Sequence, residues 1–168
     1  MTQRLFLPRT NSNNMQALLD IHSYVRWLIL AFGVIAVIRA IMGVTGKKPY
    51  GAGDTKAGLF FMIFLDIQLL IGLVLMFTSS LTKTAFGNMG AAMGDKVLRF
   101  FTVEHTLLGI IAIALVHIGR SKIKKADSDA KKHKTALIFF GLGLVLILAM
   151  IPWPGRELIG RALLPSLR

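Results

Sequence analysis

Cysteine is absent from this 168-residue chain. That removes disulfides, thiolate metal centres, iron–sulfur clusters and covalent c-type haem attachment from consideration. Charge is scarce as well, at 17% of residues, and acidic charge scarcer still: eight Asp and Glu stand against twenty Lys and Arg. A soluble domain of this size needs more polar surface than that. Several motifs are also missing: a glycine-rich phosphate loop, an HExxH metal pair and a nucleophile–base pattern in recognisable context. The formal net charge of +12 does not indicate nucleic acid, because the basic residues lie in short runs between long apolar stretches. In a membrane protein such runs orient the helices and touch anionic lipid headgroups.

What the chain does have is apolar sequence, with 54% hydrophobic residues and a mean hydropathy of +0.64. Four segments stand out, at about Ile21 to Val44, Ala57 to Phe77, Leu98 to Gly119 and Ala136 to Trp153. Each approaches or exceeds the ~20 residues that span ~30 Å of hydrocarbon. In lipid their backbones must close their own hydrogen bonds, which makes them helices. The expected fold is all-α, an integral membrane four-helix bundle over residues 15–155. A polar N-terminal extension (1–14) and an amphipathic C-terminal tail (156–168) flank it. No signal-peptide pattern is present, and Met15 is an alternative start. Pro49 within the stretch from Gly43 to Gly53 breaks the chain before Asp54 and Thr55 cap the second helix. Pro152 and Pro154 close the fourth helix, and Trp27 and Trp153 suit interface depth. The tail reads either as a short amphipathic helix with Leu158, Ile159, Leu163 and Leu164 toward lipid, or as a partly ordered segment.

Basic residues distinguish the two faces. The loops after helices one and three, with their flanks, hold Lys47, Lys48, Lys56, Arg120, Lys122, Lys124, Lys125, Lys131, Lys132 and Lys134. The opposite face holds Arg4, Arg9, Lys83, Lys96, Arg99, Arg156, Arg161 and Arg168, most of them in tails or at a helix start. Short loops count most, so the first face is expected to be cytoplasmic. That predicts a multi-pass protein of the bacterial inner membrane with both termini periplasmic.

Ionisable groups inside an apolar span are costly and therefore informative. His22 and Arg26 are one turn apart on helix one, above a stripe of Ile29, Gly33, Ala36, Ala40 and Gly43. On helix three His105 shares a stripe with Phe101, Thr102, Leu108, Gly109 and Ala112. Small residues beside a histidine make room either for a neighbouring backbone or for a flat cofactor. Both helices run from the outer face inward, so both histidines lie in the outer half. Two neutral imidazoles from facing helices are what six-coordinate haem b needs, and Arg26 and Arg99 are placed to meet its propionates. If Arg39 and Arg120 mark one boundary, His22 stands two residues, roughly 3 Å, above the level of His105. Asp66 and Gln68 lie deep in helix two, and Glu104 adjoins His105. These are the polar or proton-handling groups of the membrane interior, although a lone carboxylate there is as often an interhelical partner. His117 is expected to meet headgroups or a loop carbonyl, and His133 to be solvated in its lysine-rich loop.

Several stretches together resemble a known family. They are His22-Ser23-Tyr24-Val25-Arg26-Trp27, Ile67 to Leu73, Phe100 to His105, Ile118 to Lys122 with Ala130 to Lys134, and Ile151-Pro152-Trp153-Pro154. The pattern is similar to small four-helix membrane proteins of Bacteroidetes-type bacteria commonly labelled "cytochrome B". The resemblance covers the chain apart from its first 14 residues and its tail. It implies haem b and electron transfer, with His22 and His105 as the matching histidines. Members of that family often carry a histidine where this chain has Asp66.

The leading expectation is a haem b-binding membrane subunit in electron transfer, linked to quinone, and not an enzyme on its own. Its axial ligands are His22 and His105. The rival is a cofactor-free accessory or scaffold subunit whose polar residues bond helix to helix. A proton-conducting bundle built on Asp66 is a third reading, without the broken helices typical of transporters. The expected partners are membrane lipids and other membrane subunits or further copies of the chain, and not nucleic acid.

Overall fold

The computed structural model describes residues 10–164, with side chains from residue 13. Among these residues there are helices and no strand. They are α1 (Thr10–Gly46), α2 (Ala52–Thr78), α3 (Ser80–Gly87), α4 (Met89–Gly94), α5 (Lys96–Arg99), α6 (His105–Lys125) and α7 (Asp129–Met150), with a π turn, Phe100–Glu104, joining α5 to α6. Four stretches are long and apolar enough to cross a bilayer: Asn13–Gly46, Ala52–Thr78, Lys96–Lys125 and Asp129–Met150. The chain is a multi-pass membrane protein built as an all-α four-helix bundle. α1 packs on α2 and α7, and α6 packs on the same two, so α1 and α6 lie across a diagonal. The end of the bundle that carries His22 is called upper here. The end that carries the connections 47–51 and 126–128 is called lower.

Leu70, Phe77, Leu107 and Val145 stand exposed on the outside, as befits a surface that meets lipid tails. The interior follows the stripes of the sequence. Ile29, Ala36 and Ala40 of α1 are buried, and Phe61 meets Phe140 edge to face with centroids 6.0 Å apart. In lipid, close contact over small residues replaces the hydrophobic effect as the force between helices. A Cβ on Gly33 would come within 2.8 Å of the Phe61 ring, and one on Gly119 within 2.5 Å of Phe139.

The described elements differ from the expected ones at their ends. α1 starts at Thr10, so residues 10–14 of the expected irregular extension are helical, while residues 1–9 lie outside the described part. Thr, Asn and Ser are poor in helix interiors but suit a first turn. Residues 79–99 form three short helices, each started by a side-chain cap. The Ser79 hydroxyl accepts from Leu81 N at 3.2 Å, Asn88 Oδ1 from Ala91 N at 3.0 Å, and Asp95 Oδ1 from Val97 N and Leu98 N at 2.8 Å each. Ser128 caps α7 in the same way, at 3.4 Å from Lys131 N, which takes the basic run 131–134 into the helix. The described part of the tail is not helical. Residues 156–164 form turns, with Gly155 and Leu158 at φ of 87° and 64°, and Arg161 N bonds back to the Pro152 carbonyl at 2.9 Å. Pro154 and Gly155 interrupt the helix just where a tail helix would have to begin. Residues 165–168 lie outside the described part.

Candidate functional site

His22 on α1 and His105 at the start of α6 meet across the diagonal. Their ring centroids are 6.1 Å apart and the planes are inclined by 50°. The small offset expected from residue counting is within the reach of the side chains and does not separate the rings. The π turn ends immediately before His105, and such turns often mark functional positions in helices. His105 Nδ1 bonds the Met150 carbonyl at 3.0 Å. A carbonyl only accepts, so Nδ1 carries the proton, and in the neutral ring the lone pair is on Nε2. His22 Nδ1 is buried without a hydrogen-bond partner among the described residues. Gln68 on α2 donates to the His22 carbonyl at 3.0 Å. Its Oε1 and the Thr102 hydroxyl are also buried without a partner among the described residues.

The tail closes this end. Arg26 Nη2 and Trp27 Nε1 both donate to the Leu163 carbonyl, at 2.6 and 3.2 Å. Arg156 lies over the Phe100 ring at 4.9 Å and Arg161 over Phe101 at 4.8 Å, so cation–π contacts pin the tail to the π turn. Arg26 is close enough to act electrostatically on both imidazoles. Arg99 is engaged elsewhere: its Nε donates to Glu104 Oε1 at 2.7 Å and its Nη1 to the Met93 carbonyl at 2.8 Å. The residues Arg99 and Glu104, expected as propionate partner and proton carrier, thus hold each other.

Asp66 is not part of the histidine pair. It accepts from His117 Nε2 at 2.7 Å, bridging α2 and α6, and both side chains stay over 40% exposed on the flank of the bundle. His117 therefore meets a carboxylate and not headgroups or a loop carbonyl. The spacing of 117 from 105 turns it away from the histidine pair, as the sequence suggested, but its partner on another helix was not legible.

A second polar cluster lies at the lower end. His133 is not solvated: it is 1% exposed on α7, stacked at 4.9 Å on Tyr50. Arg39 Nε pairs with Asp54 Oδ1 at 3.0 Å, and Asp54 Oδ2 accepts from Gly51 N at 2.8 Å, which starts α2. Arg120 is buried and its Nη1 donates to the Thr55 carbonyl at 2.9 Å. Sequence reasoning placed Arg39 and Arg120 at a boundary without seeing that they close onto adjacent residues of α2.

The centroid separation of His22 and His105, 6.1 Å, can be set against that of two imidazoles sharing one metal. A metal at about 2 Å from a nitrogen of each of two opposed rings puts their centroids roughly 6 Å apart. A histidine whose far nitrogen is anchored on a carbonyl is the usual arrangement of a metal-bound imidazole. No cluster of three or more His, Asp or Glu side chains suited to a bare ion occurs among the described residues. No family model, curated protein or solved structure matches this chain.

Proposed function

We propose that this chain is an electron-transfer subunit of the bacterial inner membrane that holds haem b between His22 and His105. The observation that carries the reading is the meeting of these two imidazoles, from helices on opposite corners of the bundle, with the His105 tautomer fixed by the Met150 carbonyl. The likeness of the His22-to-Trp27 and Phe100-to-His105 stretches to the family labelled "cytochrome B" supports it as well. Haem b bound there supplies a one-electron couple. The protein's part is to present two neutral nitrogens and to keep water out. Buried Phe100 and the strap of Arg156 and Arg161 do the second. Arg26 offers positive charge to an anionic group at the upper edge. The lower end, rich in lysine, faces the cytoplasm and both termini the periplasm. Quinone and neighbouring membrane subunits are the proposed electron partners.

A reduced-minus-oxidised visible spectrum of the detergent-purified protein, expressed with ample haem, tests this. The expected result is a sharp low-spin b-type band, lost in His22→Ala and in His105→Ala. A colourless wild-type protein removes the reading and leaves a cofactor-free accessory subunit, which the mutual engagement of Arg99 and Glu104 would then favour.

A further inference from the structure

The lower cluster holds several buried polar groups without a partner among the described residues. Asp54 supplies the one carboxylate at the cleft, and each of its oxygens already accepts a bond, from Arg39 and from Gly51 N. Nearby, the Arg120 Nε, the Tyr50 hydroxyl and both ring nitrogens of His133 are buried and without a partner among the described residues, and of these groups His133 lines the cleft. Buried polar groups are rarely left in that state, so each one asks for a partner. His133 is held there by design of the backbone: a Cβ on Gly43 would sit 2.2 Å from its ring, so only glycine leaves the imidazole its place.

Beside His133 a cleft of about 120 Å³ opens between the end of α1 and the connection to α2, lined also by Arg39, Lys48 and Asp54. That volume is several times the ~30 Å³ of one water. Arg39 spends its Nε on Asp54 but remains 43% exposed, which leaves its terminal nitrogens available to the cleft. Lys48 is exposed beside it. A small, acceptor-rich anion in the cleft suits Arg39, Lys48 and the N–H of His133, and a tetrahedral oxyanion with several oxygens does so best. The cleft lies at the lower end of the spans Asn13–Gly46 and Ala52–Thr78.

From this we infer that the cleft between the end of α1 and the connection to α2, beside His133 of α7, binds a phosphate group, with Lys48, Arg39 and His133 as its donors. The group comes either from a phospholipid of the facing leaflet or from phosphate in the aqueous phase. The site is independent of the histidine pair at the upper end and stands whether or not haem is bound there.

The test uses the full chain in maltoside detergent, which carries no phosphate. Inorganic phosphate is titrated at constant ionic strength, with chloride as control, while thermal stability and the histidine ¹⁵N NMR signals are followed. The same protein is then placed in nanodiscs of phosphatidylglycerol and, separately, of a phosphate-free glycolipid. A saturable rise in Tm with a shift of the His133 ring signals under inorganic phosphate identifies the aqueous source. The same two changes under phosphatidylglycerol alone identify the lipid. In either case Lys48→Glu, at an exposed position that does not endanger folding, weakens the response about tenfold or more, the value of one charge-assisted bond. His133→Gln removes the ring signals and weakens the Tm response as well. If neither source moves Tm or the His133 signals, or if Lys48→Glu responds like wild type, the inference is wrong and the cleft holds water only.

Discussion

Gly43→Ala isolates the packing of the lower cluster. The new methyl group would lie 2.2–2.3 Å from three atoms of the His133 ring, and that ring is almost wholly enclosed. It therefore cannot swing aside as an exposed chain end would. Overpacking of this kind costs about 1–3 kcal/mol, whereas replacing glycine by alanine in a helix returns up to about 1 kcal/mol. Gly141→Ala is the matched control, because nothing lies within 4 Å of its Cβ position and only the helix term applies. The difference between the two variants should thus equal the clash alone, about 1–3 kcal/mol. The assay is reversible unfolding in mixed micelles with increasing sodium dodecyl sulfate, followed by circular dichroism. In a His133→Ala background the cost of Gly43→Ala should disappear, since the ring that causes it is gone. Equal stability of Gly43→Ala and Gly141→Ala in the wild-type background would refute the enclosure of His133.

Other consequences are equally open to measurement. A double-mutant cycle of Asp66→Asn and His117→Leu should give a coupling of about 0.6–1.7 kcal/mol, the range for interhelical bonds in membranes; zero coupling in the same micelle assay would deny the 2.7 Å contact. Arg26→Ala removes the shortest bond to the Leu163 carbonyl, so amide hydrogen exchange at residues 156–164 should quicken while that of α2 stays unchanged. Burial pushes the Tyr50 phenol above its ordinary value, with the Arg120 charge opposing. The fold thereby favours the neutral ring, and the resulting stability is whole below pH ~10 and is lost as pH rises through the raised value. Tyr50→Phe should flatten the fall in Tm across that alkaline range, and an unchanged fall would place its cause elsewhere.

The four spans were legible because lipid imposes a simple rule: about twenty apolar residues and a closed backbone. The meeting of His22 and His105 was legible from their depth and their small neighbours, and counting by ideal rise sets them close to one level. His133 was misplaced for an instructive reason. The lysines around it suggested a loop, yet Ser128 is a good cap, and His133, Ala136, Phe140, Gly143, Leu144 and Ile147 form one continuous buried stripe. Reading the cap first would have put His133 inside. The Asp66–His117 bridge carries no such signal, because it joins residues 51 apart whose pairing depends on how α2 and α6 are set against each other. The short helices of residues 79–99 were hidden by their small and polar composition, and only their caps, Ser79, Asn88 and Asp95, give them away.

The bond from His105 to the Met150 carbonyl has a bearing on how the protein is made. Synthesis runs from the first span to the last, so His22 and His105 are both in the membrane before α7 exists. During that interval His105 has no acceptor to fix its proton, and no tail covers the π turn. The orientation of the imidazole and the closure of the upper end are therefore late events, delivered by residues 150–163 after the fourth span has gone in. Until then the pair stands open to the membrane surface, and the order of the sequence becomes the order in which the site is finished.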